Sequence, residues 1–134
     1  MKKLTVEASL KNLDEVIGFI NNELERQNCP PELQTQIDLA VEEIFVNIVN
    51  YAYQSASGSV RIGIAVGEEV VIRIEDTGAP YNPLERSDPD LDKPLMERDI
   101  GGLGIFLVKK MMDKVDYMRI DNKNVLVMTK KISH

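Results

Sequence analysis

The spacing of apolar residues predicts one strand and then two helices in the first half of the chain. Apolar and polar residues alternate over 2–10, which is typical of a strand. Apolar residues then recur at helical intervals over 12–28, and again over a longer segment from Pro31 to Tyr53. Pro31 falls in the first turn of this long helix, where a missing N–H does no harm. The residues predicted to face the core from this helix are Ile37, Val41, Ile44, Ile48 and Ala52.

The second half predicts two hairpins with a helix between them. Two alternating segments, 58–66 and 70–76, flank a short turn and indicate the first hairpin. A helix is expected over 105–115, with Ile105, Val108 and Met112 facing inward, after which 115–120 and 125–132 form a hairpin around the polar turn "DNKN". This order of elements predicts an α+β fold, with helices on one face of a mostly antiparallel sheet.

The pattern stops between the first hairpin and the last helix. Four of the six prolines lie in this segment, among mixed charges. Structureless loops of this length are uncommon in compact domains and are usually functional lids or disordered. We therefore expect a lid over about 76–101 within a single domain that spans 1–134.

Composition limits the classes of function. The chain has 134 residues, 43% hydrophobic and 28% charged, as expected for a soluble globular protein. Its net charge of −6 argues against direct nucleic-acid binding, which needs clustered basic residues. Cys29 is the one cysteine, so no intrachain disulfide forms, and a reducing compartment fits. No segment has signal-peptide or transmembrane character, so we expect a cytoplasmic protein with no membrane association.

The long helix carries an unusual row of polar residues. Glu43, Asn47 and Asn50 follow i, i+4, i+7 spacing and share one narrow face beside the apolar Ile44 and Ile48. A row in that place borders the core and would line a cleft. The alternative is an ordinary helix margin, where asparagine side chains cap neighbouring turns.

The end of the first hairpin offers a second candidate. In "IEDTGAP", Asp76 closes a strand, where its carboxylate can accept a hydrogen bond from an exocyclic amine or hold a bridging water. Gly78 lets the backbone turn without a Cβ in the way. An ordinary strand-ending turn explains the same residues.

The third candidate is "GGLG", just before the last predicted helix. Gly101, Gly102 and Gly104 would expose N–H groups at the positive end of the helix dipole, which suits a phosphate. A flexible hinge is the alternative. Neither the P-loop pattern nor a dinucleotide-binding fingerprint is present.

Together, the order and spacing of the three motifs around a lid resemble the ATP-binding domain of the GHKL superfamily. "EEIFVNIVNYAY" is similar to its N-box, "EDTGAP" to its first glycine box and "GGLGIFLV" to its second. Within that superfamily the chain most resembles the stand-alone anti-sigma-factor serine-protein kinases of bacteria, over nearly its whole length. The resemblance implies the two-layer Bergerat fold, with ATP and Mg²⁺ as ligands.

The resemblance also implies roles for individual residues. Glu43 matches the general base, and Asn47 matches the asparagine whose side-chain oxygen ligates Mg²⁺. Asn50 falls where the family approaches the nucleotide. Asp76 matches the acid that reads the adenine amino group. The remaining matched residues are Gly78 beside the purine ring, Gly101, Gly102, Leu103 and Gly104 at the phosphates, and Lys93 and Arg98 as lid cations near the γ-phosphate.

The implied function is an ATP-dependent serine-protein kinase that acts as an anti-sigma factor in partner switching. Its partners would be a sigma factor and, as substrate, a serine on a STAS-type anti-sigma-factor antagonist. The alternatives are an ATP-gated protein-binding module, a slow ATPase, and a histidine-kinase-like catalytic domain. The helix over 12–28 or an open sheet face would allow a homodimer.

Two positions depart from the family pattern. Pro80 replaces a glycine common in the first glycine box, which removes an N–H and stiffens the entrance to the lid. Tyr51 lies where the kinases commonly have a histidine.

Overall fold

A five-stranded antiparallel sheet with three helices on one face forms the protein in a computed structural model, which describes residues 1–53, 57–85 and 100–132, and for 100–103 the backbone only. The strands are β1 (Lys2–Glu7), β2 (Ser59–Val66), β3 (Glu69–Asp76), β4 (Lys114–Ile120) and β5 (Lys123–Lys131). The helices are α1 (Leu13–Arg26), α2 (Pro31–Asn47) and α3 (Ile100–Met111). The predicted α+β class is confirmed.

The strand order is β1-β2-β3-β5-β4, and every neighbouring pair is antiparallel. This order makes β3 the central strand, so that β3 and β5 lie side by side. Their register pairs Asp76 with Asn124 at one end of the sheet. The end of β3 therefore faces the start of β5, which the hairpin pattern alone did not indicate.

The apolar faces predicted from the sequence form the core. Val16, Ile20 and Leu24 of α1 are fully buried, as are the inward residues of β2 and β3. Ile105 and Val108 of α3 and Met112 just after it are buried as expected. The five residues predicted to face the core from the long helix are all buried, namely Ile37, Val41, Ile44, Ile48 and Ala52.

The long helix has the predicted extent but changes geometry near its end. α2 ends at Asn47, and a π-helical turn continues it over Ile48–Ala52. Such turns are rare and often occur at functional sites. None of the helices in the described ranges has the length and apolar character of a membrane-spanning segment.

The predicted boundaries of the last helix and of the last hairpin were wrong. α3 begins at Ile100, so the glycines of "GGLG" lie inside its first turns and not in a preceding loop. Glycine lowers helix propensity by about 1 kcal/mol, which makes such a sequence resemble a loop. The last hairpin turns on Asp121 and Asn122 alone, both with positive φ (51° and 63°), as two-residue hairpin turns require. Asn124 therefore belongs to β5.

Candidate functional site

The side chain of Asn47 is fixed so that its oxygen faces a cavity between α2 and the sheet. Asn47 is buried, and its Nδ2 donates to the backbone oxygen of Glu43 at 2.7 Å. This bond leaves Oδ1 to accept from the hydroxyl of Tyr81, at 3.3 Å. The NH2 group of the amide is thus turned toward its own helix, and the oxygen is presented to the cavity.

Glu43 lies one turn before Asn47 and is half-buried against α3. Burial raises the pKa of its carboxyl group, and the neighbouring charge of Glu42 raises it further. A Cβ built at Gly104 would overlap Oε2 of Glu43, so the carboxylate can keep this position only beside a glycine. Glu43 therefore lies against α3, where a residue that lines a cleft is expected.

The third member of the row lies elsewhere. Asn50 falls in the π-helical turn and is exposed. The wider π turn breaks the i, i+4, i+7 spacing on which the prediction depended. The structure brings Glu43 and Asn47 together and leaves Asn50 at the surface.

Asp76 is almost fully buried at the end of β3, and the described residues donate hydrogen bonds to one of its two carboxylate oxygens. Oδ1 accepts from the backbone N–H of Gly78 and from Nδ2 of Asn124, both at 2.9 Å. Among the described residues, none donates to Oδ2. Burial raises the pKa of this carboxyl group, while Asn124, Gly78 and the charge of Arg119 partly offset the rise.

Asn124, which the sequence analysis missed, fixes Asp76 in place. Besides its bond to Asp76, Nδ2 donates to the backbone oxygen of Ala79 at 2.9 Å. Oδ1 accepts from the hydroxyl of Tyr117 at 2.6 Å and from the backbone N–H of Tyr81 at 3.1 Å. All four hydrogen-bonding positions of the amide are used. The signal that could have identified Asn124 is its pairing with Asp76 across the two strands. The sequence analysis instead assigned Asn124 to the turn "DNKN".

Gly78 is required by a close approach of backbone segments. A Cβ at this position would lie 2.6 Å from the backbone oxygen of Ala52, the last residue of the π-helical turn. The same oxygen accepts from the N–H of Ala79 at 3.1 Å. The hydroxyl of Tyr53 adds bonds to Ser59 and Thr77. The end of the long helix is thus fastened to the strand end that carries Asp76.

These contacts enclose a small cavity of about 10 Å³. It is bounded by α2 on one side and by β3, β4 and β5 on the other, with the start of the predicted lid across it. Its lining residues are Ile44, Asn47, Ile48, Ile74, Asp76, Tyr81, Pro83, Tyr117, Asn124 and Leu126.

The first turn of α3 lies at the Glu43 side of this site. The earliest N–H groups of a helix have no intrahelical partner, and here they belong to Ile100, Gly101 and Gly102. Gly104 is the fifth residue of α3, so its N–H falls within the helical hydrogen-bond ladder. Lys93 and Arg98, the predicted lid cations, lie outside the described residues.

The oxygen atoms that the protein offers here fit a magnesium ion that is held mainly by a bound phosphate compound and only partly by the protein. The described residues contain no cluster of three or more His, Cys, Asp and Glu side chains that would hold a metal. Asn47 Oδ1 is an oxygen donor of the kind magnesium prefers, and this ion commonly takes its other ligands from phosphates and water.

A family model and a solved structure both match this chain over nearly its whole length. The family model for the histidine kinase-like ATPase domain matches residues 6–130. A crystal structure that contains the RsbU and RsbW domains of a Mycobacterium tuberculosis protein superposes with a TM-score of 0.66 at 14% identity, covering 100% of this chain and 33% of that one.

Several relatives of this chain are named as kinases. The serine/threonine-protein kinase BtrW of Bordetella bronchiseptica is 28% identical over 106 residues, which cover 78% of this chain and 75% of the relative. The serine-protein kinases RsbW of Halalkalibacterium halodurans and Bacillus cereus are 35% and 32% identical over 99 residues. The match covers 70% of this chain but only 60% and 61% of those two relatives, respectively.

Proposed function

Because this chain belongs to the histidine kinase-like ATPase family, we propose that it binds ATP with Mg²⁺ and transfers the γ-phosphoryl group to a serine of another protein. The observation that carries the proposal is the pair Glu43 and Asn47. One turn of α2 sets a carboxylate against α3 and directs an amide oxygen into the neighbouring cavity. This pair supplies a base and a metal ligand side by side.

Asp76 is the proposed contact for the base of the nucleotide. Its Oδ1 is held by Gly78 and Asn124, which leaves Oδ2 to accept a hydrogen bond from the exocyclic amine of adenine. The phosphates would extend toward α3, where the N–H groups of Gly101 and Gly102 meet a negative charge at the positive end of the helix dipole. Arg98 and Lys93 of the lid are proposed as further charges near the γ-phosphate.

Magnesium, held through Asn47 Oδ1, would neutralise charge on the phosphate oxygens. Glu43 would take the proton of the attacking serine hydroxyl. The new bond joins the serine oxygen to the γ-phosphorus, while the bond from that phosphorus to the bridging oxygen breaks and ADP leaves. The raised pKa of Glu43 suits this role, because a base with a higher pKa accepts a proton more readily.

We further propose that the protein is an anti-sigma factor. The RsbW-type relatives are named serine-protein kinases, and the motifs resemble those of anti-sigma-factor kinases. The proposed substrate is a serine on a STAS-type antagonist, and the proposed binding partner is a sigma factor, with both encounters in the cytoplasm. The net charge of −6 supports contact with proteins in preference to direct contact with nucleic acid.

A phosphotransfer assay tests the proposal. The purified chain is incubated with Mg²⁺, γ-labelled ATP and STAS-type proteins encoded near its gene, and labelled phosphoserine is measured. We expect transfer by the unmodified chain and by Glu42→Gln, and loss of transfer in Glu43→Gln. Glu42 is the matched control, because it is the adjacent, similarly half-buried glutamate. Transfer that survives Glu43→Gln would contradict the mechanism, whereas nucleotide binding without any transfer would favour the ATP-gated binding module.

A further inference from the structure

Tyr81 links the two ends of the site. Its backbone N–H donates to Oδ1 of Asn124, beside Asp76, and its hydroxyl donates to Oδ1 of Asn47 on α2. Its ring stacks on that of Tyr51 with centroids 5.3 Å apart and planes 23° apart. Both the backbone and the side chain of this residue are therefore held across the opening between the sheet and the long helix.

The position of Tyr81 leaves little room behind it. The cavity it closes measures about 10 Å³, roughly the space for one water molecule. Pockets that hold small molecules measure about 300–1,000 Å³. A purine can reach Asp76 through this cavity only if lining side chains move, and Tyr81 and Pro83 are the two that lie on the segment after β3.

The hydroxyl of Tyr81 donates to Asn47 Oδ1, the same oxygen that is proposed to bind magnesium. The side-chain amide of Asn47 has one acceptor atom, Oδ1. Rotating the amide would break the bond from Nδ2 to the backbone oxygen of Glu43, which is only 2.7 Å long. Oδ1 is therefore the one side-chain acceptor that Asn47 presents to the cavity. A hydroxyl proton and a cation would approach that oxygen from the same side.

We infer that Tyr81 competes with magnesium for Asn47 Oδ1 and thereby lowers the affinity of the site for magnesium-bound nucleotide. This inference rests on the proposed function, since it takes Asn47 as the metal ligand. Binding of the nucleotide then includes transfer of one oxygen from the tyrosine hydroxyl to the ion. Tyr81 is a positioning residue of the lid entrance, and it sets the affinity of the site without taking part in the reaction.

The geometry indicates a modest effect. The distance of 3.3 Å between the two oxygens is longer than the usual distance for a hydroxyl donor. By contrast, the hydroxyl of Tyr117, in the same cavity, donates to Oδ1 of Asn124 at 2.6 Å. We expect removal of the Tyr81 hydroxyl to tighten binding by about two- to tenfold, the range of a single neutral hydrogen bond.

The test separates the hydroxyl from the ring. Tyr81→Phe keeps the aromatic ring that stacks on Tyr51, and Tyr117→Phe is a matched loss of one hydroxyl from the same cavity. Calorimetry would measure the Kd of ADP for the unmodified chain and both variants, in Mg²⁺ and in EDTA. We expect Tyr81→Phe to tighten binding about two- to tenfold in Mg²⁺, with a smaller change in EDTA. Tyr117→Phe should not tighten it, since that change weakens the support of Asp76.

The outcomes distinguish this inference from the proposed function. If Tyr81→Phe binds ADP no more tightly in Mg²⁺, or tightens by the same factor in EDTA, competition for the metal ligand is wrong while nucleotide binding stands. If the unmodified chain takes up no ADP in either buffer, the proposed function and this inference both fail.

A spectroscopic measurement reports on Tyr81 directly. The chain has four tyrosines and no tryptophan, so 3-fluorotyrosine labelling gives four ¹⁹F resonances, and the resonance missing from Tyr81→Phe identifies this residue. We expect its shift to change on addition of Mg²⁺ and ADP. A resonance that stays unchanged at saturating ADP would overturn the inference.

Discussion

Gly104 of α3 lies so close to Glu43 of α2 that a Cβ on the glycine would overlap the Oε2 atom and come within 3.0 Å of Cδ. The closeness places the proposed base directly beside the helix whose first turn is proposed to hold phosphates. It also gives Gly104 a steric role, since its N–H lies too far into the helix to be one of the unpaired donors.

The first prediction concerns this contact. Gly104→Ala should displace the carboxylate of Glu43 and slow phosphoryl transfer by about 100-fold, the cost of misplacing a catalytic group by about 1 Å. Gly18→Ala in α1 is the matched control, because nothing lies within 4 Å of a Cβ at that position. The control should stabilise the protein by up to about 1 kcal/mol, through helix propensity alone. Equal transfer rates in the two variants would show that the contact has no catalytic role.

The second prediction concerns pH and Glu43. Since burial raises the pKa of this carboxyl group above 4.5, phosphoryl transfer should fall as the pH drops through that raised value, at a higher pH than for an ordinary glutamate.

A carboxyl group with a raised folded-state pKa stabilises the fold at low pH and loses that contribution as the pH rises. Glu43→Gln should therefore be at least as stable as the unmodified chain at neutral pH, while transfer falls by about 10²- to 10⁴-fold. Thermal unfolding and a pH–rate profile check both parts. A markedly lower midpoint for Glu43→Gln would contradict the assignment of an unfavourable buried charge.

The third prediction concerns Asn124. Asn124→Asp replaces the Nδ2 donor with an oxygen 2.9 Å from Oδ1 of Asp76, so two acceptors face each other in a buried site. We expect a loss of about 1–3 kcal/mol in the free energy of unfolding, together with weaker ADP binding. Asn122→Asp makes the same change of charge at an exposed turn position and should cost little. Denaturant unfolding measures both variants, and equal stability would mean that the network around Asp76 adds nothing.

The fourth prediction concerns Glu23 of α1, which is not part of the candidate site. Arg26 donates to its carboxylate, which is the main cause of a pKa lowered from 4.5 to about 2, and Lys2 of β1 adds an ion pair at 3.3 Å. A lowered pKa means a stabilising contribution that is present above pH 4.5 and is lost as the pH falls toward 2. Glu23→Gln should flatten the pH dependence of stability in that interval, and the exposed Glu25→Gln should not. If both variants follow the same curve, the ion pairs of Glu23 have no measurable effect.

Much of the fold was predictable because periodicity depends on local sequence. Ile44 and Ile48 follow the helical interval, while Ile62 and Ile72 follow the strand interval, and all four are buried as expected. The pairing of β3 with β5 was not predictable in this way, since it joins strands that are distant in sequence. For that reason Asp76 was identified as a candidate, while Asn124, opposite it, was assigned to a turn.

The site was predictable where a motif carries its own geometry. Glu43 and Asn47, four residues apart on one helix, meet as expected because the helix imposes the spacing. Asn50 does not join them, since the π-helical turn changes that spacing, and nothing in its sequence signals a π turn. The contact between Tyr81 and Asn47 depends on how the segment after Asp76 folds back over the cavity, which local sequence does not indicate.

The central claim is that Asp76 reads the amino group of an adenine nucleotide. ADP and inosine diphosphate differ at the sixth position of the purine, where inosine has an oxygen in place of the amine, and at N1, which carries a proton in inosine. Calorimetry with both in Mg²⁺ therefore tests recognition of this edge of the base. We predict that ADP binds at least about tenfold more tightly than inosine diphosphate, and that Asp76→Asn narrows the difference. Equal affinity for the two nucleotides, or no uptake of ADP, would contradict the account.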